Sequence, residues 1–300
     1  MSAPSAPVAA EGPGLRSSRE RLRRSLGKAP IYLLLCGGAA FALVPFVWML
    51  STALKTPGQL FKFPPEFIPN PVAWTNFAEA WTALPFGAMV LNSVFVTTLA
   101  MFGELCSAVI VAYGFARFRF RFRNTLFLLM LSTMMLPWVV TLIPGFLIWK
   151  QFGLINTFDP LTVGALFAWG PFYIFLLRQF FLGVSRELEE AATVDGANAL
   201  QVLWYVLLPL VKPVLLAVAV LSFQGNWNNF KGALIYLGQP IERFTLPLGL
   251  QFFQASIGTE APRWHLMMAM SLLMVVPVLI LFFLAQRQFI EGIQLGGVKG

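Results

Sequence analysis

The chain has 300 residues, of which 58% are hydrophobic, 15% aromatic and only 11% charged, with a formal net charge of +8 and a mean hydropathy of +0.73. Thirty Phe and nine Trp with so little polar surface to cover them exclude a soluble globule, because lipid must serve as part of the solvent; disorder and collagen-like structure fall on the same figures. Cys36 and Cys106, the only cysteines, both lie inside apolar stretches, which excludes a disulfide scaffold.

Residues 1–29 form a polar stretch rich in Ser, Pro and Ala that carries Arg16, Arg19, Arg21, Arg23, Arg24 and Lys28, and the composition predicts a disordered tail. The apolar run from Ile31 to Leu50 is too long for the core of a signal peptide, and no A-x-A site follows it, so it reads as a retained span. Apolar windows with at most one charge recur at Phe86 to Val111, Thr125 to Trp149, Pro160 to Leu177, Pro213 to Phe230 and Leu266 to Gln286. Each is near the roughly 20 residues a helix needs to cross about 30 Å of hydrocarbon, whereas barrel strands are about half as long and alternate in polarity. The predicted fold class is all-α: a polytopic membrane protein with six transmembrane helices in residues 30–300.

Basic residues fix the orientation. With the N-terminus in the cytoplasm, that side receives the tail, Arg117, Arg119, Arg121, Arg123, Arg178, Arg186, Lys212, Arg287 and Lys299, which is 15 of the 21 Lys and Arg. Both termini are therefore expected in the cytoplasm. The run Arg117 to Arg123, interleaved with Phe118, Phe120 and Phe122, reads as an anchor on anionic membrane lipid at a span end and not as a nucleic-acid site. The segment between spans one and two, with Pro57, Pro64, Pro65, Pro69 and Pro71, is expected to be a loop.

Polar groups at membrane depth are costly and face a bundle interior or a watery path. Asn92 and Ser93 near the outer end of span two suit helix tying as well as solute contact. Glu104 is the one carboxylate well inside a span; it is expected to be satisfied structurally by a hydrogen bond or by snorkelling towards the inner end. Span five concentrates Ser222, Gln224, Asn226, Asn228 and Asn229 with Trp227. Amides beside an aromatic plane suit neutral, hydroxyl-rich solutes, while interhelical hydrogen bonding is the alternative use of the same groups. Asn92, Gln224, Asn226, Trp227, Asn228 and Asn229 are the candidate substrate-path residues. His265 is the only histidine, so no metal site is expected, and no convergent cluster of catalytic groups is apparent. Pro137, Pro144, Pro171 and Pro277 are expected to bend their spans.

The connection between spans four and five holds four of the thirteen acidic residues, Glu187, Glu189, Glu190 and Asp195. Ser185 can cap a short helix with an acidic first turn, and Leu188, Ala191, Ala192 and Asp195 then share a small, flat face. Gly196 suits a C′ position, and Asn198 followed three residues later by Gln201 starts a second helix that ends near Pro209. The pattern predicts helix, tight turn, helix, with the first helix either a docking knob for another protein or an amphipathic segment at the interface.

Glu190-Ala191-Ala192, three residues, Gly196, nine residues, then Val206-x-Leu208-Pro209 resembles the EAA loop of permease subunits in bacterial binding-protein-dependent ABC importers, with Val206 in place of the usual Ile. Asp195, Ala197 and Pro213 also match. Trp227-Asn228-Asn229-Phe230, Thr245-Leu246-Pro247-Leu248-Gly249-Leu250 and the C-terminal stretch from Gln286-Arg287 to Gly297-Val298-Lys299-Gly300 are similar to segments of the carbohydrate-type permeases, the group that includes the six-span maltose importer subunit. The resemblance implies a six-span permease domain of the type I importer fold over residues 30–300, with the coupling loop at 183–212 and ATPase contacts at Glu190, Ala191, Ala192, Asp195, Gly196, Leu208 and Pro209. It also implies partners: a dimer of ATP-binding-cassette ATPases, a second permease subunit on a different chain, and an extracytoplasmic sugar-binding protein, at a bacterial inner membrane. No cofactor is expected on this chain; ATP and Mg belong to the ATPases, and no phosphate-loop pattern is present here. Other solutes, namely glycerol phosphate, amino acids or peptides, and a secondary transporter are the alternatives. A phosphorylated solute calls for a Lys or Arg in the path, and span five has none between Lys212 and Lys231.

Overall fold

The computed structural model describes residues 14–254 and 263–296. The first 13 residues of the expected tail, the Gly297-Val298-Lys299-Gly300 end and the side chain of Arg287 lie outside the described residues. The chain divides into two compact units, Met1–Ser51 and Thr52–Gly300.

In the first unit the chain is helical from Gly14, and helix α1 runs Gly14–Ala53 with Pro30 and Pro45 inside it. This corrects the expectation of disorder for residues 14–29. Leu, Arg, Glu and Lys are strong helix formers, and a helix already nucleated by the apolar run propagates back through them.

The second unit contains α2 (Thr75–Ala83), α3 (Phe86–Arg117), α4 (Arg123–Ser132), α5 (Trp138–Gln151) and α6 (Asp159–Thr162), the last continued by a 3₁₀ turn over Val163–Phe167. Next come α7 (Pro171–Gly183), α8 (Arg186–Val194), α9 (Ala199–Gln201), a π turn over Val202–Leu207, and α10 (Leu208–Leu210). The remaining helices are α11 (Lys212–Trp227), α12 (Phe230–Tyr236), α13 (Leu246–Gln254) and α14 (Trp264–Gly296). Among the described residues, four stretches are long and apolar enough to cross a bilayer: Pro30–Ala53, Phe86–Arg117, Asp159–Gly183 and Trp264–Gln286. Two bent pairs of helices, each counted as one span, bring the number to six.

The third window, Thr125 to Trp149, is bent at Pro137 as expected, and sharply: Arg123–Met135 and Trp138–Gln151 meet at 100°. Pro137 disfavours α geometry at the residue before it, and Leu136 accordingly sits at φ −74°, ψ 118°. In the other pair, Ala199–Leu210 and Lys212–Trp227 meet at 84°. The first member of that pair is the second helix of the acidic connection, so the bend turns the loop into span five.

α3 is the axis of the unit and packs on both α7 and α11. Ala108, Ala112 and Ala116 fall at i, i+4, i+8 on one face and are all buried, a run of small residues that lets neighbouring helices approach closely. Two apolar clusters sit along it. Near its N-terminal end, Phe86 and Met89 pack with Trp227, Leu246, Leu266 and Met270. Towards its C-terminal end, Ala112 and Tyr113 pack with Ile174, Leu177, Phe181, Val202 and Leu207. Gly103 lies between these clusters, where an added Cβ would stand 3.2 Å from Leu166 Cδ2 and 3.3 Å from the Ala165 carbonyl carbon. Gly103→Leu is therefore expected to cost about 1–3 kcal/mol by overpacking. A lowered melting temperature of the detergent-solubilised protein is the expected result; an unchanged one would show that the 3₁₀ turn yields.

Asn156, at φ 64°, ties two loops together. Its amide donates to Gln239 O at 2.6 Å, its Oδ1 accepts from Gly238 N at 2.9 Å, and its carbonyl accepts from Arg243 Nη1 at 2.6 Å. These bonds hold the α5–α6 connection against the α12–α13 connection.

Candidate functional site

The acidic connection folds as a helix, a tight turn and a second helix. Ser185 caps α8, its Oγ accepting from Glu187 N at 3.3 Å, and Glu187 and Glu189 occupy the first turn where the helix dipole favours negative charge. The helix ends through Gly196 at φ +92°, with Gly196 N donating to Thr193 O and Ala197 N to Ala192 O. This is a left-handed cap of the kind that glycine accommodates without a Cβ penalty. Asn198 and Gln201 then form a reciprocal capping box: Gln201 N donates to Asn198 Oδ1 at 3.0 Å, and Asn198 N to Gln201 Oε1 at 2.8 Å. Glu190, Ala191, Asp195 and Gly196 are exposed, Ala192 and Leu208 are half-buried, and Pro209 is exposed.

Three contacts seat this connection on the end of α3. Arg117 Nε lies 2.5 Å from Glu189 Oε1, and the two side chains are only 6% and 16% exposed. Their alignment makes a close ion pair without a directed hydrogen bond at those two atoms. Arg117 Nη2 also donates to Val184 O at 2.9 Å, and Tyr113 Oη to Ala199 O at 3.1 Å. Burial pushes the Glu189 carboxyl up from its ordinary value, and Arg117 and Arg186 pull it part of the way back. Arg117 thus leaves the basic run in which the sequence analysis places it as a lipid anchor, because a buried carboxylate is in reach. Nothing in the spacing of residues 117 and 189 signals that pairing.

The second candidate site is a cavity of about 520 Å³ between α3, α5, α6, α7, α11 and α12. Its polar lining comes from Glu104, Thr141, Asn226, Asn229 and Lys231, and its aromatic lining from Trp138, Trp149, Trp169, Tyr173 and Tyr236. Glycines at 145, 164, 225 and 232 keep the wall open. At Gly225 a Cβ would lie 3.9 Å from the Tyr173 hydroxyl, and at Gly145 one would lie 3.2 Å from that of Tyr236. Glu104 Oε2 accepts from Ser222 Oγ at 2.5 Å and from Asn226 Nδ2 at 3.2 Å. Lys231 Nζ lies 5.0 Å from the centroid of the Trp138 ring.

The candidate path residues separate in space. Asn226 and Asn229 line the cavity; Asn229 also caps α12, its Oδ1 accepting from Gly232 N at 3.0 Å. Trp227 is buried, stacked on Phe223, with its indole N–H donating to Met274 O at 3.1 Å, so it is a core residue and not a lining one. Asn92 donates to Glu242 O at 2.6 Å and to Phe244 O at 3.0 Å, tying α3 to the segment before α13. Asn228 donates back to Gln224 O at 2.9 Å, and both residues are exposed outside the cavity. Asn226 lies near the end of α11 and Asn229 at the cap of α12, so the two reach the cavity from either side of the break between these helices. The lining aromatics and Lys231 are missed by a reading confined to one span at a time. Glycines facing large aromatics across spans three to five are the signal that could reveal them.

The model of the family described as binding-protein-dependent transport system inner membrane component matches residues 105–294. The chain is 34% identical over 256 residues to the diacetylchitobiose uptake system permease protein DasC of Streptomyces coelicolor, covering 85% of this chain and 91% of that protein. It is 30% identical over 268 residues to the sn-glycerol-3-phosphate transport system permease protein UgpE of Yersinia pestis, covering 87% and 94%. Among solved structures, a chain of a bacterial ABC transporter involved in the import of the acidic polysaccharide alginate superposes with a TM-score of 0.77 at 26% identity, over 90% of this chain and 98% of that one. A family match over most of the chain, near-complete coverage of these relatives and the bent-span architecture converge: the protein is a multi-pass membrane protein and belongs to the family of binding-protein-dependent ABC transport inner membrane components.

Proposed function

We propose that this chain is the permease subunit of an ATP-driven importer that moves a saccharide delivered by an extracytoplasmic binding protein. Both termini and the acidic connection face the cytoplasm, where a dimer of ATP-binding-cassette subunits grips α8 and its turn and hydrolyses ATP with Mg. A second permease chain completes the path. Glu190, Ala191, Ala192, Asp195, Gly196, Leu208 and Pro209 form the grip, and Asn226 and Asn229 contribute to the path.

One observation carries this reading. α8 presents exposed small residues and carboxylates on a rigid turn that is ion-paired to the end of a 32-residue helix whose middle lines a polar and aromatic cavity. A push on the turn therefore reaches the cavity through packed helix. The saccharide itself is supported by the amide and aromatic lining and by the sugar relatives. Lys231 favours a second reading, a phosphorylated solute, because it supplies a cation at the cavity that spacing within span five does not reveal.

Mild solubilisation and purification of the tagged chain should recover an ATPase, a second six-span subunit and a binding protein. Uptake by that assembly of a neutral saccharide in preference to glycerol phosphate is the expected result. Recovery of the chain alone from transporting cells, or exclusive uptake of the phosphate ester, would contradict the proposal.

A further inference from the structure

Glu104 is the carboxylate whose role the coupling account leaves unused, and its surroundings are those of a ligand site. It projects from the middle of α3 into the cavity, half-buried, and spends one oxygen on Ser222 and Asn226. Among the described residues Oε1 has no protein donor, so this lining residue keeps one acceptor oxygen that the protein does not use. Ser222 is fully buried; its hydroxyl donates to Glu104 and accepts from Asn226 at 3.5 Å. The two donors on Oε2 fix the carboxylate's orientation.

From this geometry we infer that Glu104 is a specificity-determining residue: its free oxygen receives the hydroxyls of a neutral saccharide stacked on Trp169, and its charge excludes anionic sugars. A carboxylate accepts short, strong bonds from hydroxyl groups and offers none to another carboxylate or phosphate. Trp169 supplies a flat apolar face of the kind that a sugar ring's C–H groups require. The volume lies within the roughly 300–1,000 Å³ typical of small-molecule sites. Lys231 is the opposing charge, and its ammonium is drawn to the Trp138 ring, so the anionic partner in the cavity that is braced by two protein donors is Glu104. The inference rests on the saccharide reading above.

The test uses the complete importer in proteoliposomes with its own binding protein saturated by each sugar. The probes are the neutral oligosaccharide the wild type moves fastest and the same oligosaccharide with its terminal hydroxymethyl oxidised to a carboxylate. Glu104→Ala is expected to lower neutral uptake by about tenfold or more, the scale of one lost charge-assisted hydrogen bond. Glu104→Gln keeps an acceptor oxygen without the charge, and is expected to restore most neutral uptake while raising the ratio of uronate to neutral uptake by about tenfold. Because binding protein and assembly are common to both proteins, that ratio reports on the cavity and not on folding. An unchanged ratio in Glu104→Gln, or a wild type that prefers the uronate, overturns the role of Glu104 while leaving saccharide import standing. A wild type that moves neither sugar overturns the saccharide reading and this inference with it.

Discussion

Gly196→Val is expected to leave membrane insertion intact while abolishing solute uptake and the stimulation of ATP hydrolysis by loaded binding protein. The cause is backbone conformation and not space. A Cβ at this position meets nothing within 4 Å, but φ is +92°, a region a β-branched residue does not adopt without strain. Forcing it there costs on the order of 1–3 kcal/mol, so the population that keeps α8 and α9 in register falls by about 5- to 150-fold. Gly196→Asn should be milder, since asparagine tolerates left-handed geometry better than valine. Uptake in cells and ATPase activity in proteoliposomes measure both variants. Equal damage from Asn and Val would point to a clash with a partner surface and away from the turn.

Arg117→Ala is expected to uncouple ATP hydrolysis from uptake and to weaken the seat of the loop by about 1.5–3 kcal/mol, because a nearly buried Glu189 loses its counter-charge and Val184 O loses a donor. Glu189 already has a raised pKa, and removing Arg117 removes a lowering influence, so the carboxyl rises further. The sign follows: a carboxyl whose folded value is raised favours the fold when protonated, and that contribution is lost as pH rises through the folded value. The melting deficit of Arg117→Ala should therefore grow as pH rises through Glu189's raised value and shrink below it. The double variant Arg117→Ala/Glu189→Gln should recover much of the stability and less of the coupling. Recovery of full coupling by the double variant would show that a neutral seat transmits the motion equally well.

Much of this molecule is legible from residue order. The span windows, the Ser185 cap, the turn at Gly196 and the Asn198–Gln201 box are local features, decided within a few residues by hydropathy, capping chemistry and glycine's freedom at φ > 0. Pro137 predicts a bend in its span, but an angle of 100° depends on what packs against both halves. The helix at residues 14–29 shows propensity and propagation prevailing over a polar, disorder-like composition. The Arg117–Glu189 pair spans 72 positions and the Glu104–Asn226 bond spans 122. No periodicity within one helix encodes such meetings; they arise from how α3 packs on α7 and α11. The same holds for Trp227, whose amide-rich neighbours suggest a path but whose ring fills the core because its face of α11 turns towards α14.

On the proposed function, the acidic turn is a handle held by a separate ATPase. Single cysteines at Glu190 and Val194, both exposed, in a variant lacking Cys36 and Cys106 test it directly. In membranes that are actively transporting, a short thiol cross-linker is predicted to join these positions to the nucleotide-binding subunit, with a yield that changes when ATP is added. Transport that proceeds at the wild-type rate with no such adduct at either position would contradict the account.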